Sequence, residues 1–219
     1  MKPFDPATFD LEKLFHSRGM FDTAKAWERS GFRIVRAHET RMLVASHPSV
    51  SGILFKKYPT KAHKTPLEQR QNYERRIEGS RRIKAVITER SLQRVITPQK
   101  WLVRLPARFD SSDQPSYILA AERCKIVDPV RSRILYRSID EETLRELIPV
   151  LFHFGGGDSS AKNVPFTKDG KLAFIDTDRW NDPEREKLKK RTYMKYLGKH
   201  LPNDRLKFAW RLWDDLLQD

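Results

Sequence analysis

Three side chains in the last third of the chain carry oxygen donors at spacings that suit phosphate and metal chemistry: Asp158, Asn163 five residues on, and Asp176 thirteen beyond that. They lie in Asp158-Ser159-Ser160-Ala161-Lys162-Asn163 and in Phe174-Ile175-Asp176-Thr177-Asp178. Between them, Val164-Pro165-Phe166 and Leu172-Ala173-Phe174-Ile175 flank Thr167-Lys168-Asp169-Gly170-Lys171, whose Asp-Gly pair is a strong hairpin-turn signal. A hairpin returns its exit to its entrance, so Asn163 and Asp176 are expected at one end, with the Asp158 loop beside them. A small set of oxygen ligands suits Mg²⁺, which completes its shell with phosphates and water. The plainer reading is that Asp158 caps a loop and that Asp169 and Asp176 are turn carboxylates.

The elements that must position these residues can be read from the pattern. The first thirty residues suggest two short helices, opened by Asp5-Pro6 and Asp22 and closed by Gly19 and Gly31. Phe32 to Ala37, Met42 to Ser46 and Gly52 to Tyr58 read as an antiparallel three-stranded meander. Thr65-Pro66-Leu67-Glu68 is a capping box opening a helix to about Arg90, apolar at Tyr73, Ile77, Ile83 and Ile87 and otherwise very basic. Lys100 to Leu105 and Tyr117 to Cys124 read as two further strands. Ser138-Ile139-Asp140-Glu141 looks like a second capping box, followed by Leu144, Leu147, Ile148, Leu151 and Phe152 on one helical face. Gly155-Gly156-Gly157 follows; it either frees the backbone to approach a phosphate or simply ends the helix. Two amphipathic helices are expected at the end, one from Asp182-Pro183 to Gly198 and one lined by Leu206, Trp210, Trp213 and Leu217.

At Asp158, Asn163 and Asp176 the sequence resembles the protein-kinase-like superfamily, in which an Asp, an Asn five positions later and a metal-binding Asp beyond a hairpin form the catalytic centre. The resemblance implies an α+β, two-lobed fold: an N-terminal helical extension (residues 1–31), an N-lobe with a five-stranded antiparallel sheet and one basic helix (32–124, helix 66–90), and a truncated helical C-lobe (125–219). The C-lobe would carry a catalytic loop over 155–163 and a metal hairpin over 164–178. It implies Asp158 as catalytic base, Asn163 and Asp176 as ligands of Mg²⁺, and ATP as phosphate donor. A third-strand lysine should hold the phosphates, and Lys56 is preferred to Lys57 because Leu54 on its face leaves room for an adenine ring. Glu74, or Glu78 one turn on, should position that lysine, and backbone groups near Glu122 and Cys124 should meet adenine. The same residues also fit solvated lysines at a strand end and surface pairs among arginines.

The chain departs from that family at several points. The first hairpin, His38-Glu39-Thr40-Arg41, has no glycine; Gly156-Gly157 stands where His-Arg normally precedes the base; and Thr177-Asp178 replaces Phe-Gly. Only about forty residues follow Asp176. This economy is similar to that of abbreviated bacterial kinase-fold proteins, among them secreted effectors and the lipopolysaccharide core sugar kinases; Ile175-Asp176-Thr177-Asp178-Arg179 resembles the hairpin end of the latter.

Composition bounds the partners. The 219 residues carry 43 Lys and Arg against 29 Asp and Glu, a net charge of +14, which predicts anionic partners and says nothing of fold. The single cysteine, Cys124, excludes an internal disulfide and a cysteine-based zinc site, and the six histidines show no ligand spacing. No apolar run reaches the length of a membrane span, and the start of the chain lacks a signal-peptide core. The expectation is a cytoplasmic kinase, or one delivered into a host cell by a leaderless route, phosphorylating a protein hydroxyl. An anionic glycolipid or small molecule is the alternative acceptor. The competing class is a non-catalytic pseudokinase or nucleic-acid-binding module using Arg75, Arg76, Arg81, Arg82 and Lys84 with Lys187, Lys189, Lys190 and Arg191.

Overall fold

The computed structural model describes residues 10–37, 41–59, 62–110, 114–154, 160–178 and 197–218. It is an α+β protein built around a five-stranded antiparallel sheet. The chain clusters into two compact units, one running up to Ile77 and including Gln99–Arg123, the other comprising Glu78–Pro98 and the chain from Cys124 on.

In the first unit, α1 (Leu11–Leu14), a 3₁₀ turn (Arg18–Phe21) and α2 (Ala24–Arg29) precede β1 (Arg33–Arg36), β2 (Leu43–His47) and β3 (Val50–Lys57). α3 (Pro66–Glu89) then leaves the sheet, and β5 (Lys100–Arg104) and β6 (Tyr117–Glu122) complete it in the order β1-β2-β3-β6-β5. Alternation along β6 explains why both faces are buried. Ile118 and Ala120 join Phe55 in a cluster with Phe15, Phe21, Trp27 and Phe32, whereas Leu119 packs with Tyr58 and Tyr73 on the α3 side. The segment read as an N-terminal extension is therefore one wall of the sheet's core. Phe15 sits edge-on to Phe55 at 5.6 Å, and Trp27 edge-on to Phe32 at 4.9 Å.

α3 begins where its capping box predicts. The Glu68 N–H donates to Thr65 Oγ1 (3.2 Å), and the Thr65 N–H donates to Glu68 Oε2 (2.8 Å). Its 24 residues are shared between the units, which divide after Ile77.

The second unit adds β4 (Val95–Ile96), α4 (Pro129–Arg137), α5 (Glu141–Phe154), β7 (Leu172–Ala173) and α6 (Asn203–Asp215). The α5 face expected from periodicity is buried, as are Pro149 and Val150, because α6 packs on it through Phe208, Ala209 and Trp213. Leu217 lies beyond the end of α6 and is exposed, and the buried side of the helix runs through Phe208, Ala209 and Trp213. The start of α5 is capped by Asp140, whose Oδ1 accepts the Thr143 N–H at 2.6 Å; Ser138 serves as the C-cap of α4. Helix α4 starts at Asp128-Pro129, an N-cap followed by proline at the first helical position: the Asp128 carboxylate accepts the N–H groups of Val130 and Arg131 (3.0 Å each). The expected helix over 182–198 lies almost wholly outside the described residues.

Candidate functional site

The second unit holds the hairpin. The Thr167 N–H donates to Lys171 O (2.7 Å), Gly170 takes φ +84°, and the Ala173 N–H donates to Pro165 O (2.9 Å), so the turn forms where Asp169-Gly170 signals it. The exposed Asp169 carboxyl is held below the ordinary carboxylate range, first by a hydrogen bond from Thr167, which marks it as a turn residue. At the open end the Ile175 N–H donates to Asn163 O at 3.1 Å. Asn163 and Asp176, both half-buried, thus issue from neighbouring rungs. Asp158 lies outside the described residues.

What fixes the Asp176 rung is a parallel pairing invisible in the sequence. β7 pairs with β4, Val95 with Leu172 and Ile96 with Ala173, and the ladder continues through the Phe174 N–H to Ile96 O (2.9 Å). Three short contacts then join this ladder to α3: Ser80 Oγ with Pro98 O (2.6 Å), Ser80 Oγ with Thr97 Oγ1 (3.0 Å), and Thr97 Oγ1 with Phe174 O (3.3 Å). Each hydroxyl has a single proton, so donation to the Pro98 and Phe174 carbonyls uses both, and the two hydroxyl oxygens meet at 3.0 Å between them.

Beside Ser80, Gly79 is the lone glycine inside α3. A Cβ placed there would lie 2.1 Å from the Thr177 carbonyl oxygen, closer than any packed carbon approaches. Glycine here lets the backbone that follows Asp176 press against the helix, and Thr177 is completely buried. A helical glycine costs about 1 kcal/mol relative to alanine, so its presence in an otherwise strong helix is a readable sign of a close approach.

The first unit carries the lysines and Glu74. Lys56 pairs across to Val44 and Leu119 and is half-buried on the face that meets Tyr73. Lys57, on the Phe55 face, is 8% exposed; its Nζ donates to Gln69 Oε1 at 2.7 Å and sits 5.8 Å from the centre of the Phe21 ring. Burial pushes its ammonium down to about 8. Glu74 is exposed and accepts from Arg70 Nε at 2.7 Å on its own helix. The α3 side chain bonded to Lys57 is Gln69, an amide and not a carboxylate. At the end of β6, Glu122 exchanges bonds with Gln99: its N–H donates to Gln99 O (2.9 Å), and its Oε2 accepts the Gln99 N–H (2.8 Å). The Arg123 N–H donates to Gly52 O at 2.8 Å. In the second unit, the Cys124 carbonyl accepts the Ile126 N–H at 3.0 Å.

The basic face of α3 is unevenly available to an anion. Arg76 is buried, and Glu78 binds both Arg81 (2.6 Å) and Arg82 (2.9 Å), which holds its carboxyl below the usual range. Lys187, Lys189, Lys190 and Arg191 lie outside the described residues. Among the described residues there is no group of three or more His, Cys, Asp or Glu able to hold a metal, and no helix long and apolar enough to cross a membrane. No protein-family model and no curated protein matches the chain.

Proposed function

We propose that the chain is an ATP- and Mg²⁺-dependent phosphotransferase with an abbreviated protein-kinase-like two-lobed fold, acting on an alcohol, in first place a protein hydroxyl. The observation that carries this reading is the hairpin closure that sets Asn163 and Asp176 on neighbouring rungs. An amide oxygen and a carboxylate, both half-buried, are hard donors that fit Mg²⁺ with the remaining positions left to phosphate and water. When bound, the ion neutralises phosphate charge as it shifts toward the leaving oxygen.

In this reading the chain's residues divide the work. Asn163 and Asp176 orient the phosphates, and Asp158 accepts the proton of the attacking hydroxyl, an assignment resting on its spacing alone. Lys56 supplies positive charge from β3; its neighbour Lys57 lies on the face already filled by Phe15, Phe32 and Phe55. Glu74 is paired with Arg70 on its own helix, so the role of positioning Lys56 is not assigned to it.

The test is a thermal-shift titration followed by label transfer. A ligand bound only by the native state raises Tm by mass action. Mg-ATP is expected to raise the wild-type Tm, and Asp176→Ala to lose most of the metal-dependent part while the apo protein stays folded. With ATP labelled separately at the α and γ phosphates, label is expected to leave from γ. An equal shift in Asp176→Ala overturns the ligand assignment, and release from α replaces phosphoryl transfer with AMP transfer. Binding with no transfer to any acceptor makes the chain a pseudokinase.

A further inference from the structure

Helix α4 buries one side and offers the other. Residues 132 and 136 lie about 200° around the helix from 130 and 134, since each residue turns about 100°. Ser132 and Tyr136 face inward: Ser132 Oγ accepts the Phe166 N–H (3.2 Å), and Tyr136 donates to Val164 O (2.7 Å). The opposite face therefore presents Val130 and Ile134, which are 59% and 57% exposed, and Ile126 stands just before the helix at 38%. These are half of the six exposed large hydrophobic side chains among the described residues, and they fall within nine positions.

The rim of this stripe is cationic. Arg131, Arg133 and Arg137 are exposed, and among the described residues none of them forms an ion pair. Arg133 Nε bonds only the Pro129 carbonyl (3.2 Å). Lys125 precedes Ile126, and Lys168 is tied beside it through its N–H to Lys125 O (2.7 Å). Burial, then the nearby Arg133, Lys199 and Arg137 cations, hold the His200 imidazole below its ordinary value, an independent sign of concentrated positive potential. The acid at the helix start, Asp128, caps two backbone N–H groups and offsets part of the Arg131 charge, and Arg133 and Arg137 lie further along the helix. The arginines of α3 differ, with Arg70, Arg81 and Arg82 neutralised by Glu74 and Glu78.

We propose that this face of α4, Val130 and Ile134 with Arg131, Arg133 and Arg137 around them, docks the protein on an anionic lipid bilayer surface. A purely electrostatic partner such as nucleic acid has no use for a branched aliphatic stripe. A bilayer boundary accepts shallow aliphatic side chains and draws cations to its headgroups. The pairing of exposed aliphatics with unpaired arginines is what selects it. The surface belongs to the second unit alone and does not depend on phosphotransfer.

The test is flotation of the full chain with vesicles of phosphatidylcholine alone or of phosphatidylcholine mixed with phosphatidylserine, the anionic lipid whose surface potential attracts basic segments. Binding is expected to the anionic vesicles only and to weaken with salt. The triple variant Arg131→Gln, Arg133→Gln, Arg137→Gln is expected to weaken it by well over tenfold, at about fivefold per cation. Val130→Ser with Ile134→Ser should also weaken it several-fold. Both substitutions are on exposed positions, and circular dichroism with Tm confirms that the variants fold. Arg81→Gln with Lys84→Gln on α3 should leave binding unchanged. The proposal is overturned if wild type ignores anionic vesicles, if the serine variant binds undiminished, or if the α3 variant loses binding instead.

Discussion

Lys57 is an ammonium placed where water scarcely reaches it, and its cost is set by one hydrogen bond to Gln69 against the loss of hydration. Its folded-state value of about 8 lies below the ordinary 10.5 because burial disfavours the charged form. Between those two pH values the unfolded chain holds a proton that the folded chain has shed, so stability rises with pH across that window. Below it both states are charged, and the folded state carries the full penalty, roughly 3 kcal/mol. Lys57→Met should therefore stabilise the protein most at neutral pH, with the advantage over wild type shrinking toward pH 10.5. Urea unfolding of both proteins at several pH values reads this out. A difference that stays constant with pH would show that Lys57 is not strained by burial. The same variant should spare nucleotide use, whereas Lys56→Met should impair it.

At the scale of elements, α3 and the β4–β7 ladder form one device, held by Ser80, Thr97 and the missing side chain of Gly79. In an exposed helix, Gly→Ala stabilises by up to about 1 kcal/mol. Here the added methyl would collide with the Thr177 carbonyl, a backbone atom that cannot rotate aside. Gly79→Ala should reverse the sign and destabilise by roughly 1–3 kcal/mol, the usual cost of overpacking. It should also shrink the Mg-ATP shift, because the strained backbone adjoins Asp176. A measured gain in Tm for Gly79→Ala would show that α3 and the 176–178 backbone do not pack as described.

For the whole molecule, the excess of 43 basic over 29 acidic side chains opposes compaction through mutual repulsion. Against it stand exposed pairs such as Arg70–Glu74, Arg104–Asp110, Arg205–Glu141, Arg94–Glu142 and Arg108–Glu12. Such pairs contribute little each, and both effects are screened by salt. The unbalanced charge is the larger quantity, so raising ionic strength from about 20 mM to about 300 mM, across a several-fold change in Debye length, should raise Tm. A fall in Tm over that range would mean that the ion pairs outweigh the repulsion.

Local chemistry was enough to place much of this architecture. A capping box fixed the start of α3, an Asp-Gly pair placed the hairpin turn, and apolar periodicity marked the buried face of α5, because each signal acts over a few residues. The closure that brings Asn163 to Asp176 followed from the same hairpin. Helix α4 carries its start signal in Asp128-Pro129, but its aliphatic residues Val130 and Ile134 face outward and so mark no buried side. Other features depend on what arrives from far along the chain. The N-terminal segment became a wall of the sheet because Phe15 and Trp27 found Phe32 and Phe55. Lys57 and not Lys56 became the buried amine because that wall closed over its face, and Glu74 turned to Arg70 because Tyr73 and Ile77 occupy the sheet-facing side of α3. The sequence determined elements, turns and total charge; the tertiary structure alone decided which charges are buried, which are paired, and why residue 79 has to be glycine, since each of those depends on contacts between residues distant in sequence.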